Sequence, residues 1–251
     1  WRLPVLASYV TRDPHAFDRG NPAGEMLIDA LCIVYGFSPP SNQQETAELL
    51  YKSGILIDEI SNYITLSGLL AYKDGRVHSV WKAAIDEDEV LQVPLANLVQ
   101  IDRITSPTGK VFVVENPAVF SSILDEFNGE VVPPLICSYG QVKLAGLVVL
   151  DKLAREGTEI YYSGDFDPEG LLIADKLAQR YNGRLKLWHY GIKDYRKTLS
   201  EHTLSSKRLS MLGSIKTSAL QDVAKEMLIL KRSGYQELLL VELIKDIKKQ
   251  T

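Results

Sequence analysis

The sequence has very few cysteines. Only Cys32 and Cys137 occur among 251 residues, and they do not form a CxxC pair. These counts exclude a disulfide framework and a zinc ribbon, because both need several closely spaced cysteines. We expect both cysteines to be buried as small hydrophobic side chains.

Long apolar runs and low-complexity segments are also lacking. No run approaches the roughly 20 residues that span a bilayer, and the first residues lack the basic-then-apolar pattern of a secretory leader. We therefore expect a cytoplasmic protein with no membrane partner. Apolar residues make up 45% of the chain and charged residues 24%, which is typical of a globular protein and excludes disordered and collagen-like classes.

An overall excess of positive charge is absent, since the formal net charge is −4. The bases are unevenly distributed, however. The segment 180–232 holds twelve Lys and Arg residues against four acids, so it carries +8 and the remainder −12. This pattern fits solvated helix faces, a DNA-binding surface or a docking surface for an acidic partner. On the DNA interpretation, Lys193, Arg196 and Lys197 are the predicted phosphate contacts.

The chain divides into two regions with different patterns. Residues 1–105 form a mostly helical N-terminal region, whereas residues 106–251 begin with alternating strands and helices. Strands are predicted at 110–114, 135–138, 159–163 and 184–188, with amphipathic helices between them. Such βαβ units predict an α/β fold with a parallel four-stranded sheet covered by helices on both faces. Residues 192–251 are predicted to be a helical extension.

Three carboxylates follow two of the predicted strands. Glu115 follows the first strand, and Asp165 and Asp167 follow the third. The carboxyl ends of parallel strands share one edge of a sheet, where ligands bind. Carboxylate oxygens suit a hard divalent cation, so these acids are candidate ligands of Mg²⁺ or Mn²⁺ and candidate catalytic residues.

A purely structural interpretation of the same acids stays open. Asp167 followed by Pro168 is also a good helix start, with Asp as the N-cap and Pro at the first helical position. Glu169 has two interpretations, either a further metal ligand or a favourable charge at a helix N-terminus. The combination of Glu115 with the Asp pair favours a metal site over a simple cap.

Two sequence segments carry a resemblance to a known family. VVEN at 113–116 and DFDPEG at 165–170 resemble the glutamate and D-x-D signatures of the Toprim domain, over roughly residues 109–190. VENPAV at 114–119, PLICSYGQ at 134–141 and DPHAFDRG at 13–20 resemble, more specifically, the JetD family. Its members are the nuclease subunits of Wadjet, an SMC-type plasmid-defence system, and the type II branch is the most similar. The topoisomerase VI A subunit is a more distant resemblance.

The resemblance implies a function and partners. It implies a Mg²⁺-dependent DNA endonuclease that cleaves circular double-stranded DNA together with an SMC-type ATPase complex. The family's metal-binding acids correspond to Glu115, Asp165 and Asp167, whereas Glu169 departs from the branch pattern. A homodimer is implied because double-strand cutting needs two sites, and an N-terminal portion is expected to precede this chain.

The loop after the second predicted strand is a candidate phosphate site. Ser138 and Gln141 are expected at the same edge as the acids, where backbone N–H groups at a helix start can bind phosphate. Lys143 is a further candidate contact. An ordinary strand-to-helix turn explains these residues equally well.

Two other functions compete with metal-activated hydrolysis. In a topoisomerase-like transesterase, a tyrosine attacks the phosphate and stays attached to DNA, but none of the twelve tyrosines lies in a recognisable catalytic context. A non-catalytic DNA-binding adaptor is the second alternative. Three carboxylates placed where phosphate must approach argue against it, because like charges repel.

Overall fold

The computed structural model describes residues 1–127 and 130–250. The helices are α1 (Leu3–Thr11), α2 (Pro22–Tyr35), α3 (Gln43–Lys52), α4 (Ser79–Asp86), α5 (Leu95–Leu98), α6 (Pro117–Asp125), α7 (Leu144–Arg155), α8 (Pro168–Arg180), α9 (Ile192–Thr198), α10 (Ser206–Leu209), α11 (Ser218–Leu230) and α12 (Leu240–Lys248). The strands are β1 (Tyr63–Ser67), β2 (Leu70–Lys73), β3 (Arg76–Val77), β4 (Leu91–Pro94), β5 (Arg103–Thr105), β6 (Lys110–Val114), β7 (Leu135–Cys137), β8 (Glu159–Ser163), β9 (Leu185–Leu187), β10 (Leu199–Thr203) and β11 (Arg232–Gly234). Short 3₁₀ helices cover Ser210–Ser214 and Gln236–Leu239.

The first of two compact units comprises residues 1–63 and 94–96. Helices α1, α2 and α3 contribute its core, which contains Leu3, Ile28, Cys32, Leu49, Leu50 and Ile55. Cys32 lies in this core as expected of a small hydrophobic side chain. This unit is shorter than the predicted N-terminal region 1–105, because β1 to β5 enter the two larger sheets instead.

The second unit comprises residues 64–93 and 97–251, and most of its core surrounds a six-stranded sheet. The strand order is β4-β1-β7-β6-β8-β9. The four predicted strands are β7, β6, β8 and β9, and they are parallel, which confirms the α/β fold class. The sheet is mixed because β1 pairs antiparallel with β7 at residues 65–67 and 135–137.

The order of the parallel strands determines where the helices lie. The chain passes from β6 to β7 in one direction and from β7 past β6 to β8 in the other. Crossovers between parallel strands are right-handed, so α6 covers one face and α7 and α8 cover the other. Consequently the direction of the connections reverses between β6 and β8, which is the usual place for a ligand site in an open α/β sheet.

The C-terminal region is mostly helical, as expected, but it also contains a two-stranded sheet. Strands β10 and β11 pair antiparallel, and β11 lies beside the segment after β8 through a bridge between Gly234 and Phe166. This bridge brings residues remote in sequence next to the carboxyl end of β8. In the described ranges, no helix combines the length and apolar character that a membrane crossing requires.

Candidate active site

Glu115 and Asp165 lie side by side at the point where the connections of the sheet reverse. Val114 and Ser163 are paired neighbours in β6 and β8, so the residues that follow them leave the sheet together. The backbone N–H of Asp165 donates a hydrogen bond to Oε2 of Glu115, at 3.2 Å. Two of the predicted acids therefore meet, because parallel pairing aligns the ends of their strands.

Gly164 makes this close approach possible. A Cβ atom at residue 164 would collide with Oε2 of Glu115 and would lie 3.0 Å and 3.1 Å from the hydroxyls of Tyr162 and Tyr190. Any side chain at this position would displace the glutamate. The glycine at this position therefore leaves the space that the Glu115 carboxylate occupies.

Burial and mutual repulsion make the two acids costly to ionise. The pKa of Glu115 is raised from 4.5 to about 7, first by burial and second by the charge of Asp165. The pKa of Asp165 is raised from 3.8 to about 6, chiefly by burial, although the N–H of Gln236 opposes this shift. A nearby cation would favour the charged form of both acids.

Asp165 is held by residues that the sequence analysis did not identify. The backbone N–H of Gln236 donates to its Oδ1 atom at 2.8 Å, and the hydroxyl of Tyr190 donates to its carbonyl oxygen at 2.9 Å. Between the two aspartates, Phe166 is fully buried and packs against Tyr190 and Tyr195. Phe166 therefore points into the core between the two aspartates.

Gln236 also connects to the start of α6. Its Oε1 atom accepts a hydrogen bond from the N–H of Asn116 at 3.2 Å, and the Asn116 side chain donates to Glu237 at 2.6 Å. The Gln236 side chain is fully buried and its Nε2 atom has no partner among the described residues. No local pattern marks residues 236 and 237, because they reach the site only through the pairing of β11.

Asp167 caps a helix and also contacts an arginine. Its Oδ1 atom accepts from the N–H of Gly170 at 2.7 Å, so Asp167 is the N-cap of α8. Its Oδ2 atom lies 2.6 Å from Nη2 of Arg208. The open alternative from the sequence, a capping role for Asp167, is therefore confirmed.

Glu169 faces Arg208 rather than the other acids. Nε of Arg208 lies 3.0 Å from both carboxylate oxygens of Glu169. This hydrogen bonding lowers the pKa of Glu169, in contrast to the raised values at Glu115 and Asp165. Glu169 therefore has Arg208 as a direct partner. This contact agrees with the second interpretation of Glu169, a favourable charge at the first turn of α8.

The loop between β7 and α7 reaches the same edge of the sheet. A Cβ atom at residue 140 would lie 3.7 Å from Oε1 of Glu115, so Gly140 adjoins the acids. Ser138 is buried, and its hydroxyl donates to the carbonyl oxygen of Val114 at 3.4 Å. Gln141 and Lys143 are exposed. The structure therefore places Gln141 and Lys143 on the surface beyond the acids and turns the Ser138 hydroxyl toward the strand.

Helix α9 carries the three predicted DNA-binding cations next to the site. Its buried Tyr195 packs against Phe166, which lies between the two aspartates. Two of the cations are already paired within the chain, Arg196 with Glu226 at 2.8 Å and Lys197 with Glu242. Lys193 is exposed and has no ion pair within the described ranges.

Most other bases in the segment 180–232 are also paired. Arg180 binds Asp151 at 2.7 Å, Lys186 binds Glu159 at 2.8 Å, and Arg232 binds Glu201 at 2.6 Å. The net charge of this segment therefore overstates the positive charge that it offers to a partner. Lys193 and Lys207 are exposed bases whose ammonium groups make no ion pair with a described residue.

The chemistry of the acids suits a divalent cation, but their arrangement is incomplete. All the candidate ligands are carboxylate oxygens, which Mg²⁺ prefers, and burial first, then the charge of neighbouring carboxylates, raises the pKa values of Glu115 and Asp165. Within residues 1–127 and 130–250, however, no three His, Cys, Asp or Glu side chains are grouped as a metal site. The contact of Asp167 with Arg208 is one reason, because it engages that carboxylate elsewhere.

Comparison with protein families gives two matches. Residues 91–247 match the family described as "Protein of unknown function C-terminus (DUF2399)". Residues 1–71 match the family described as "Protein of unknown function N-terminus (DUF3323)". No curated protein matches the chain. The first match includes every acid discussed above.

Proposed function

The chain belongs to the DUF2399 family, and we propose that it is a Mg²⁺-dependent DNA endonuclease of the Toprim type. The observation that carries this proposal is the pairing of Glu115 and Asp165 where the sheet connections reverse. Both acids have raised pKa values there. Perturbed carboxylates in a cleft at this position of an α/β sheet are typical of a functional site.

The acids would hold the cation. Glu115 and Asp165 offer the oxygens that are not committed to N–H groups, and Asp167 offers a third carboxylate once it separates from Arg208. When bound, Mg²⁺ or Mn²⁺ would offset negative charge on a phosphate and activate water for hydrolysis. Because Gly164 has no side chain, it does not block this space.

Hydrolysis has more support than a tyrosine mechanism. Tyr162 and Tyr190 lie nearest the acids, but both are buried, and burial raises the pKa of each well above 10. An activated nucleophile has the opposite shift, and Tyr162 and Tyr190 are too buried to reach a phosphate. Tyr139 is exposed, and its hydroxyl lies 2.6 Å from Oγ1 of Thr65. None of these three tyrosines has the surroundings of a covalent catalyst.

Part of the neighbouring surface is suited to contact a DNA backbone. Lys143 and Gln141 follow Gly140 at the edge, and Lys193 is an exposed base of α9, the helix whose Tyr195 packs against Phe166. Phosphate contacts from such side chains would position the duplex without reading its sequence. The acids themselves repel phosphate, so DNA binding at this edge would depend on the cation and these bases.

The remaining features of the proposal come from the resemblance to JetD-type nucleases. They are a cytoplasmic location, action on circular plasmid DNA, an SMC-type ATPase complex as partner, and a homodimer that supplies two cutting sites. The alternative function is a non-catalytic adaptor, in which the acids take part in binding but not in cleavage of DNA.

The decisive experiment incubates supercoiled plasmid with the protein and Mg²⁺ or Mn²⁺, with and without the SMC-type complex. We expect linear DNA with free ends, and no cutting in EDTA. Ends that stay attached to protein after denaturation would indicate transesterification. DNA binding without cleavage in every condition would indicate an adaptor.

A further inference from the structure

Arg208 is a cation of the chain itself, bound at the edge that the acids occupy. Its Nη2 atom contacts Oδ2 of Asp167 at 2.6 Å and Oε2 of Glu169 at 2.5 Å, and its Nε atom contacts both oxygens of Glu169 at 3.0 Å. Arg208 lies 41 and 39 positions after Asp167 and Glu169 in sequence, but the three residues meet at the N-terminus of α8. One guanidinium group therefore bridges a predicted metal ligand and a carboxylate that is not grouped with the other acids.

Glu169 holds one side of the guanidinium through Nε and Nη2, whereas Nη2 also contacts Asp167. Nη1 has no hydrogen-bond partner in the ranges that the structure describes. A guanidinium has five N–H donors in a planar fork, and this fork matches two oxygens of a phosphate. Glu169 can thus retain the group through Nε and Nη2 while Nη1 and the N–H of Nη2 that contacts Asp167 bind another anion.

The backbone of Arg208 is fixed while its side chain is not fully enclosed. The residue lies in α10, next to the buried Leu209, and its N–H donates to the hydroxyl of Ser205. The Arg208 side chain remains 31% exposed, compared with 27% for Asp167. The guanidinium is therefore placed by packing of α10 but stays accessible to a ligand.

We propose that Arg208 is a phosphate-positioning residue, which neutralises Asp167 in the free protein and transfers its Nη groups to a DNA phosphate when the duplex binds. This inference rests on the proposed nuclease function. No bond is made or broken; a hydrogen-bonded ion pair exchanges one anionic partner for another. Glu169 keeps its contact with Nε in both states.

One consequence is that Arg208 opposes divalent-cation binding until DNA arrives. A positive charge 2.6 Å from Asp167 repels a second cation at the same carboxylate, and removal of that charge to a phosphate relieves the repulsion. Binding of DNA and binding of the cation then reinforce each other, and by linkage each strengthens the other by the same factor.

The test is calorimetric titration of the full chain with Mn²⁺, alone and with a short duplex whose linkages are phosphorothioates, which keep the negative charge of phosphate and are hydrolysed more slowly. Without DNA, we expect Arg208→Gln to bind Mn²⁺ about 5- to 20-fold more tightly than the wild type, within the usual range of coupling between sites. Adding the duplex should strengthen Mn²⁺ binding in the wild type and change it little in Arg208→Gln. Arg208→Lys keeps the charge but not the fork, so it should retain weak Mn²⁺ binding and lose affinity for the duplex.

Arg180→Gln is the matched control. Arg180 binds Asp151 with a side chain that is also 31% exposed, but at the opposite end of α8. The Arg180→Gln substitution should leave the affinity for Mn²⁺ unchanged. Circular dichroism of each variant checks folding, and Arg208→Lys supplies the measurement if Arg208→Gln does not fold.

Two failures can be distinguished. Unchanged or weaker Mn²⁺ binding in Arg208→Gln, with binding still abolished by Asp165→Asn, would overturn the role of Arg208 and leave the metal site intact. Mn²⁺ binding that is insensitive to Asp165→Asn would overturn both this inference and the proposed metal site.

Discussion

Oε2 of Glu115 accepts a hydrogen bond from the backbone N–H of Asp165, and this 3.2 Å contact joins the ends of β6 and β8. The two residues are fifty positions apart in sequence. Their contact exists because β6 and β8 are parallel neighbours in register up to Val114 and Ser163. It places two carboxylates in one partly buried space.

The acids should be required for cleavage but not for folding. We expect Glu115→Ala, Asp165→Ala and Asp167→Ala each to lower Mg²⁺-dependent plasmid cleavage more than about 100-fold, since even outer partners of a metal site typically contribute about 10- to 100-fold. The measurement is the rate of loss of supercoiled plasmid, with thermal unfolding as the check on folding. Asp222→Asn, at an exposed acid paired with Lys225, is the control and should cleave normally. Cleavage by the double variant of Asp165 and Asp167 would rule out the metal hypothesis.

Glu115 and Asp165 should contribute a loss of stability to the free protein as pH rises from about 4 to 7. Glu115 and Asp165 have pKa values above their usual 4.5 and 3.8 in the folded state. Above the usual values the unfolded chain ionises first, so the unfolded state gains stability until the folded-state values of about 7 and 6 are passed. The loss is therefore absent below about pH 4 and complete above pH 7.

Glu115→Gln tests this pH dependence, because it removes one of the two charges. In EDTA at pH 8, urea titration should give Glu115→Gln a free energy of unfolding about 1–3 kcal/mol above the wild type, since one pKa unit corresponds to about 1.4 kcal/mol. The difference should disappear near pH 4. A constant difference at both pH values would show that packing, not charge, is responsible.

A methyl group at residue 164 should displace Glu115. The Cβ atom of Gly164→Ala would overlap Oε2 of Glu115, and overpacking of this kind costs about 1–3 kcal/mol of stability. We expect Mn²⁺ affinity and plasmid cleavage to fall together, measured by calorimetry and gel assay. Gly213→Ala is the matched control, because a Cβ atom there has no neighbour within 4 Å. Equal behaviour of the two variants would contradict the close approach described here.

The cations of α9 should contribute unequally to DNA binding. Each phosphate contact steepens the salt dependence of duplex affinity by about 0.9 in the log–log slope. We expect Lys193→Glu to remove one full contact, whereas Arg196→Glu and Lys197→Glu remove less, because Glu226 and Glu242 already neutralise those side chains. The triple reversal should flatten the slope by at most about three contacts.

The control for this measurement is Lys82→Glu on α4, an exposed lysine paired with Asp86 outside the basic segment. It changes the net charge by as much as each single reversal and should leave the slope unchanged. If the triple reversal leaves DNA affinity and slope intact but abolishes binding of a partner subunit, the α9 surface serves assembly instead.

Local sequence patterns predicted the strands and helices around the site closely. The apolar runs at 110–114 and 159–163 coincide with β6 and β8. Asn116 and Asp167 cap α6 and α8 through their own side chains. These features depend on neighbouring residues, so periodicity and capping signals were sufficient to find them.

The sequence by itself therefore determined the alternation of strands and helices, the parallel sheet and the acids at the ends of two strands. Only the tertiary structure decided what surrounds those acids. Arg208 and Gln236 reach Asp167 and Asp165 from 41 and 71 positions away, and β1 joins the sheet between β4 and β7 from a separate segment. Such contacts come from packing between distant segments, where the free energy of burial and pairing selects partners that no local pattern specifies.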